Sequence, residues 1–184
     1  MIVRTFNPIE RGPAIWLDEP LREAVQVARL LRRLGEYPDG ADPVDIVIMG
    51  KGGNSGVGLE MYTALREHPR RKRVTILEAA SMHALIAMAG DVVRIVEGGT
   101  IFLHDVGYAT DYLLNEVPAH HTAAGLKALA RRCEATDALH RRIFARRTGL
   151  DPERIATLRA TDTTLDAPRA VAMGFADEVV AWPS

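Results

Sequence analysis

The sequence predicts a single α/β domain, and three observations predict it. Apolar, β-branched runs alternate with segments whose apolar residues recur at helical spacing, turn signals separate them, and no internal repeat or long linker interrupts the 184 residues. That length suits one core, because a domain near 150 residues already buries roughly 70% of the surface its unfolded chain exposes. Residues 1–184 therefore read as one domain, with a short N-terminal segment, 1–13, ahead of the first element.

The elements follow in order. Ala14–Leu17 reads as a short strand. Asp18 can cap a helix from about Pro20 to Leu34, with Leu21, Val25, Ala28 and Leu31 on one face and Gly35 to close it. Tyr37–Pro43 is a loop, and Val44–Met49 is an apolar run suited to a buried strand. That strand empties into Gly50-Lys51-Gly52-Gly53-Asn54-Ser55-Gly56-Val57-Gly58, after which a helix continues to about Glu67. The basic stretch His68–Arg73 reads as a solvated turn leading to a strand at Val74–Leu77. Ser81 opens Met82–Ala89, which is apolar on every side except His83 and predicts a buried helix. Val92–Val96 and Thr100–Leu103 flank Glu97-Gly98-Gly99 as a hairpin, with His104 where its second strand ends. A long helix spans about Thr122 to Thr148, with Leu126, Leu129, Cys133, Leu139 and Ile143 as its apolar stripe and Gly149 at its end. Asp151 and Pro152 start a short helix carrying Ile155 and Leu158. A helix around Ala167–Met173 and a strand around Glu178–Val180 finish the chain.

Composition excludes several function classes. Hydrophobic residues make up 47% and charged ones 26%, which does not fit disorder. The formal net charge of −1 provides no whole-molecule field for a phosphate backbone, so nucleic acid is not expected as a partner. One cysteine, Cys133, excludes an intrachain disulfide framework and a Cys-rich zinc site, and a reducing cytoplasm is the expected setting. The longest uncharged stretch, Ala79–Gly90, is shorter than the roughly 20 residues a membrane helix needs.

The residues offer each part of an acyl-transfer site. Such chemistry needs a nucleophile, a base, a group to orient the base, and donors aimed at the developing oxyanion. The chain has only three serines, Ser55, Ser81 and Ser184, and Ser81 sits where a strand opens into a buried helix. The Met82 N–H belongs to the same turn. Glycines at 52 and 53 allow a second backbone N–H to approach, since no Cβ intervenes.

In order along the chain, Lys51-Gly52-Gly53-Asn54-Ser55-Gly56-Val57-Gly58, Ala79-Ala80-Ser81-Met82, Ile101-Phe102-Leu103-His104, Thr148-Gly149 and Asp162-Thr163-Thr164-Leu165-Asp166-Ala167-Pro168 resemble the proteolytic subunit of the Clp protease, a serine peptidase of the ClpP/crotonase fold. The Ala170-Val171 pair and Gly174-Phe175-Ala176-Asp177 extend the resemblance, which runs from about Ile15 to Val180. It implies a spiral of β-β-α units with a protruding handle helix at about 122–148. It also implies a serine endopeptidase with Ser81 as nucleophile, His104 as general base, Asp162 orienting His104, and Gly53 and Met82 as oxyanion donors. Peptides or unfolded proteins would be the substrate, cleaved within a homo-oligomer of stacked rings, with no cofactor or metal. An AAA+ unfoldase partner stays open. Three positions depart from the family pattern: Lys51 stands where proline is usual, the N-terminal segment is short, and 57 residues separate His104 from Asp162, with the excess in Asp105–His121.

Other readings stand beside these. Ser81 can be a helix cap, His104 a strand-end histidine and Asp162 a turn residue. His83, two residues beyond Ser81, suits a satisfied core histidine better than a base. His120 and His121 are adjacent rather than three or four apart, which does not suit a metal pair on one helix face. Cys133 reads as a small buried residue. The strand, glycine loop, helix and second strand ending at Glu78 imitate a dinucleotide-binding unit, but Ser55 stands where its third glycine belongs. A catalytically silent ring subunit and a crotonase-like acyl-CoA enzyme are the two alternatives in function.

Overall fold

A computed structural model describes residues 14–37, 43–107 and 122–181. The N-terminal segment 1–13, most of the loop at 37–43, and most of the Asp105–His121 segment, with His120 and His121, lie outside the described residues. The elements are β1 (Ile15–Leu17), α1 (Val25–Gly35), β2 (Val44–Gly50), α2 (Ser55–Glu67), β3 (Lys72–Ala80), α3 (Met82–Ala87), β4 (Val92–Leu103), α4 (Ala123–Thr148), α5 (Pro152–Ala160), β5 (Thr163–Asp166), α6 (Ala167–Ala172) and β6 (Glu178–Val180).

One mixed sheet organises them. The strand order is β1-β2-β3-β4-β5, and β6 also pairs with β4. The β1-β2, β2-β3 and β3-β4 pairs are parallel, β4-β6 is parallel, and β4-β5 is antiparallel. Parallel strands covered on both faces carry near-continuous apolar runs. Accordingly Ile46 and Ile48 of β2, Val74 and Ile76 of β3 and Ile95 and Ile101 of β4 are fully buried. Every residue of α3 is buried, His83 included, as its apolar sequence requires. Each such Leu or Ile contributes on the order of 1.5–3 kcal/mol by leaving water.

Four expectations are corrected. α1 begins at Val25 rather than near Pro20, because Leu21 leaves the helix to bridge Gly53 and the Gln26 side chain accepts from the Arg22 and Glu23 N–H groups. The expected hairpin at 92–103 is one strand. Both its halves run parallel to β3, with Val96–Gly99 bulging where Gly98 takes φ 78°. The basic stretch is not wholly solvated, since Lys72 and Arg73 begin β3 and are buried in ion pairs with Asp91 and Asp45. A buried cation persists only when so paired. Finally, Leu126 is exposed, whereas Leu129 and Ile143 are buried and Cys133 and Leu139 are partly buried.

The long helix keeps its expected bounds. Thr122 Oγ1 accepts from the Gly125 N–H, and Gly149 closes the 26-residue α4 in the left-handed conformation. Asp151 and Asp166 cap α5 and α6 in the same manner. β5, unmarked by any sequence pattern, exists because Thr163–Asp166 find the open edge of β4. Among the described residues no helix is long and apolar enough to cross a membrane.

Candidate active site

Three parallel strands end along one edge of the sheet: β2 at Gly50, β3 at Ala80 and β4 at Leu103. Residues just beyond the carboxyl ends of neighbouring parallel strands converge in space whatever their separation in sequence. The Lys51–Asn54 loop, Ser81 and His104 are those residues. β5 starts at the same edge, where Leu103 pairs with Thr163, and Asp162 is the turn residue immediately before it.

Ser81 occupies φ 57°, ψ −122°, which an L side chain adopts only under constraint. Such a residue costs about 1–3 kcal/mol. Its N–H donates to the Phe102 carbonyl at 2.9 Å and its carbonyl accepts from the Leu85 N–H at 3.3 Å, so the chain turns sharply from β3 into α3. The hydroxyl caps nothing: α3 has no side-chain cap bond. Ser81 is partly buried and lines a small cleft, about 60 Å³, with Gly53, Met82 and His104.

Gly53 and Met82 both line this cleft. Among the described residues, neither the Gly53 nor the Met82 N–H donates to a protein acceptor. The Gly53 amide owes its direction to Leu21. The Leu21 N–H donates to the Gly52 carbonyl at 2.9 Å, and the Leu21 carbonyl accepts from the Asn54 N–H at 2.7 Å. In a trans peptide the C=O and the following N–H point oppositely, so a Gly52 carbonyl turned to Leu21 turns the Gly53 N–H away from it. Glycine is required here: a Cβ on Gly52 would lie 2.6 Å from the Ser81 Cβ, and one on Gly53 would lie 2.1 Å from the Leu21 carbonyl oxygen, with φ positive at both.

His104 lies partly buried beyond β4, its ring stacked on Phe102 at 5.6 Å. Its carbonyl accepts from Arg159 Nε at 3.0 Å, and Arg159, 2% exposed, is ion-paired with Asp137 of α4. Asp137 Oδ1 also accepts from the Val106 N–H at 2.9 Å. Among the described residues no hydrogen bond joins the Ser81 hydroxyl to the His104 imidazole, or that imidazole to Asp162. Asp162 is exposed, at φ 47°, and lies outside the cleft lining. The structure thus gathers Ser81, Met82, Gly53 and His104 around one cleft and leaves Asp162 outside its lining.

His83 is a core histidine, as its position suggested: fully buried, with Nδ1 accepting from the Gly52 N–H at 2.8 Å. Burial drives its pKa to about 4, against the opposing pull of Asp18. Sequence reasoning missed the other wall of the cleft, formed by His140, Phe144 and Arg159. His140 is 3% exposed, its Nε2 has no partner among the described residues, and burial followed by the Arg159 charge lowers its pKa to about 4. The spacing of Asp137, His140 and Phe144 at i, i+3 and i+7 was the available signal. Leu21 gave none, since its bridge to Gly53 is non-local.

The dinucleotide-binding reading loses its footing. Asn54 Oδ1 accepts from the Gly56 and Val57 N–H groups, using donors at the start of α2 that a dinucleotide pyrophosphate would require. Cys133 is partly buried, and burial raises its thiol pKa, which leaves little thiolate for nucleophilic attack. Among the described residues no three His, Cys, Asp or Glu side chains group to hold a metal ion.

The model of the Clp protease family matches residues 14–182, a span that takes in every strand from β1 to β6 and the whole cleft. The chain belongs to the Clp protease family. Membership supports a peptidase role, and within the Clp protease family's architecture the 26-residue α4 is the long helix packed on α5 beside the cleft.

Proposed function

We propose that this Clp family member is a serine endopeptidase acting through Ser81, His104 and Asp162. The observation that carries the reading is the Ser81 turn, a strained backbone whose hydroxyl caps no helix and which lines one cleft with His104 and with Gly53 and Met82, whose N–H groups have no acceptor among the described residues. In acylation, His104 takes the hydroxyl proton as Ser81 Oγ attacks the substrate carbonyl, and the Gly53 and Met82 N–H groups receive the oxyanion. His104 then delivers that proton to the leaving amine. Water hydrolyses the ester by the same steps in reverse role. Asp162 orients the imidazole and stabilises its protonated form once substrate draws the groups together, because catalytic hydrogen bonds often tighten only in the complex.

The substrate is a peptide or unfolded protein, and the family's assembly into proteolytic chambers extends the proposal to a cytoplasmic ring homo-oligomer. Ser81→Ala should abolish cleavage of a fluorogenic peptide, with a loss on the order of 10⁴-fold or more. A variant cleaving at the wild-type rate sinks the reading. The absence of a Ser81–His104 hydrogen bond favours a second reading, a catalytically silent ring subunit. A serine-directed fluorophosphonate that fails to label Ser81 in the assembled protein decides for it.

A further inference from the structure

We propose that His83 is a positioning residue that holds the oxyanion loop in its working conformation, an inference that rests on the peptidase reading above. The loop after β2 is built on Gly52 and Gly53, two residues whose φ of 89° and 137° leave the backbone many alternatives. One working geometry must be imposed from outside. Leu21 imposes half of it by gripping the Gly52–Gly53 and Gly53–Asn54 peptides through two backbone hydrogen bonds. The Lys51–Gly52 peptide next to them is held by a side chain, through the 2.8 Å bond from the Gly52 N–H to His83 Nδ1.

The imidazole is fitted to this task. With Nδ1 accepting, the neutral ring carries its proton on Nε2, an atom that is buried and without a partner among the described residues. A protonated ring would set N–H against N–H, and its complete burial disfavours that state. β2 makes room for the ring by ending on glycine: a Cβ on Gly50 would lie 2.5 Å from His83 Cε1 and Nε2. His83 also immediately follows Met82. One short helix therefore carries the Met82 donor on its backbone and, through the His83 ring, restrains the loop that carries the Gly53 donor. Ring and loop together fix the separation of the two N–H groups. A residue that merely filled space would need no acceptor at that point.

The test compares His83→Leu, which keeps much of the volume without the acceptor, with His83→Asn, whose Oδ1 is as many bonds from Cα as Nδ1. Steady-state cleavage of a fluorogenic peptide and the rate of fluorophosphonate labelling are read, with Ser81→Ala as blank and thermal melting as the folding control. Loss of one oxyanion donor typically costs 10²–10³-fold in kcat. His83→Leu should accordingly lose on the order of 10²-fold in kcat and in labelling with KM changed only about threefold, and His83→Asn should recover at least about tenfold of that. A folded His83→Leu at wild-type kcat overturns the proposal, as does equal impairment of both folded variants. If His83→Leu does not fold, His83→Met takes its place. ¹⁵N-histidine NMR of the wild-type protein adds a reading independent of variants: His83 should show an unprotonated Nδ1, and a protonated Nδ1 overturns the assignment. Wild-type protein that neither cleaves nor labels overturns the peptidase reading and this inference with it. Wild-type protein that does both, with His83→Leu its equal, overturns this inference alone.

Discussion

The two walls of the cleft are held by different physics. On the glycine-loop side the contacts are neutral hydrogen bonds: Leu21 to the Gly52 and Asn54 backbone, and His83 to the Gly52 N–H. On the His104 side a buried ion pair does the holding, with Arg159 reaching the His104 carbonyl and the Asp137 carbonyl and carboxylate. A neutral hydrogen bond contributes roughly 0.5–1.5 kcal/mol, so losing one lets the loop resample while the fold survives. Removing one member of a buried pair strands the other charge, at about 3–5 kcal/mol. The loop wall should therefore fail in activity first and the ion-pair wall in stability first.

The largest expected effect cuts across both walls: Ser81→Ala removes the group they serve, with cleavage falling about 10⁴-fold or more while the melting temperature holds or rises as strain is not worsened. Melting curves beside turnover check it. Next, Arg159→Met should destabilise by about 3 kcal/mol, since Asp137 retains some exposure, and in a domain of this size each kcal/mol moves the midpoint by about 2–4 °C. Pairing it with Asp137→Leu should return much of that stability. A double variant no better than the single would deny that a stranded charge is the cause.

Acid should weaken both walls, each through its own histidine. The folded pKa values of His83 and His140 are both near 4, below the ordinary 6.5, so the unfolded chain binds protons more readily between those values. Stability is therefore full above about pH 6.5 and declines as pH falls toward 4, by up to about 3 kcal/mol for each histidine. Denaturant titrations of His140→Met and His83→Asn should each show a shallower decline. An unchanged slope in either would remove that residue from the account. The smallest effect belongs to Gly50→Ala, whose Cβ meets the His83 ring. It should destabilise the wild-type background and be nearly neutral beside His83→Ala, with a coupling of about 0.5–3 kcal/mol in the four-way comparison.

Much of this was legible in the chain. Val44–Met49, the Met82–Ala87 segment, apolar apart from His83, and the capped ends of the long helix carry local signals strong enough to fix their structure, and the motif residues Gly53, Ser81, Met82 and His104 meet at one cleft. The hairpin expected at 92–103 failed because Glu97-Gly98-Gly99 has the composition of a reversal yet serves as a bulge. Whether such a segment reverses depends on which strand lies alongside. The buried roles of Lys72, Arg73 and Arg159 were hidden for a similar reason, since a basic residue reads as solvated until its carboxylate partner arrives from elsewhere.

The sequence alone was enough for most of the elements, for the glycine loop and for which residues line the cleft as motif members, because hydrophobic period and turn chemistry are local properties. Only the tertiary structure decided how those groups are held: Leu21 turning the Gly53 amide, His83 gripping the adjoining peptide, and Arg159 tethering the His104 carbonyl. Hydrogen bonds and ion pairs between distant segments depend on which strand ends the sheet brings together, and no window along the chain contains both partners.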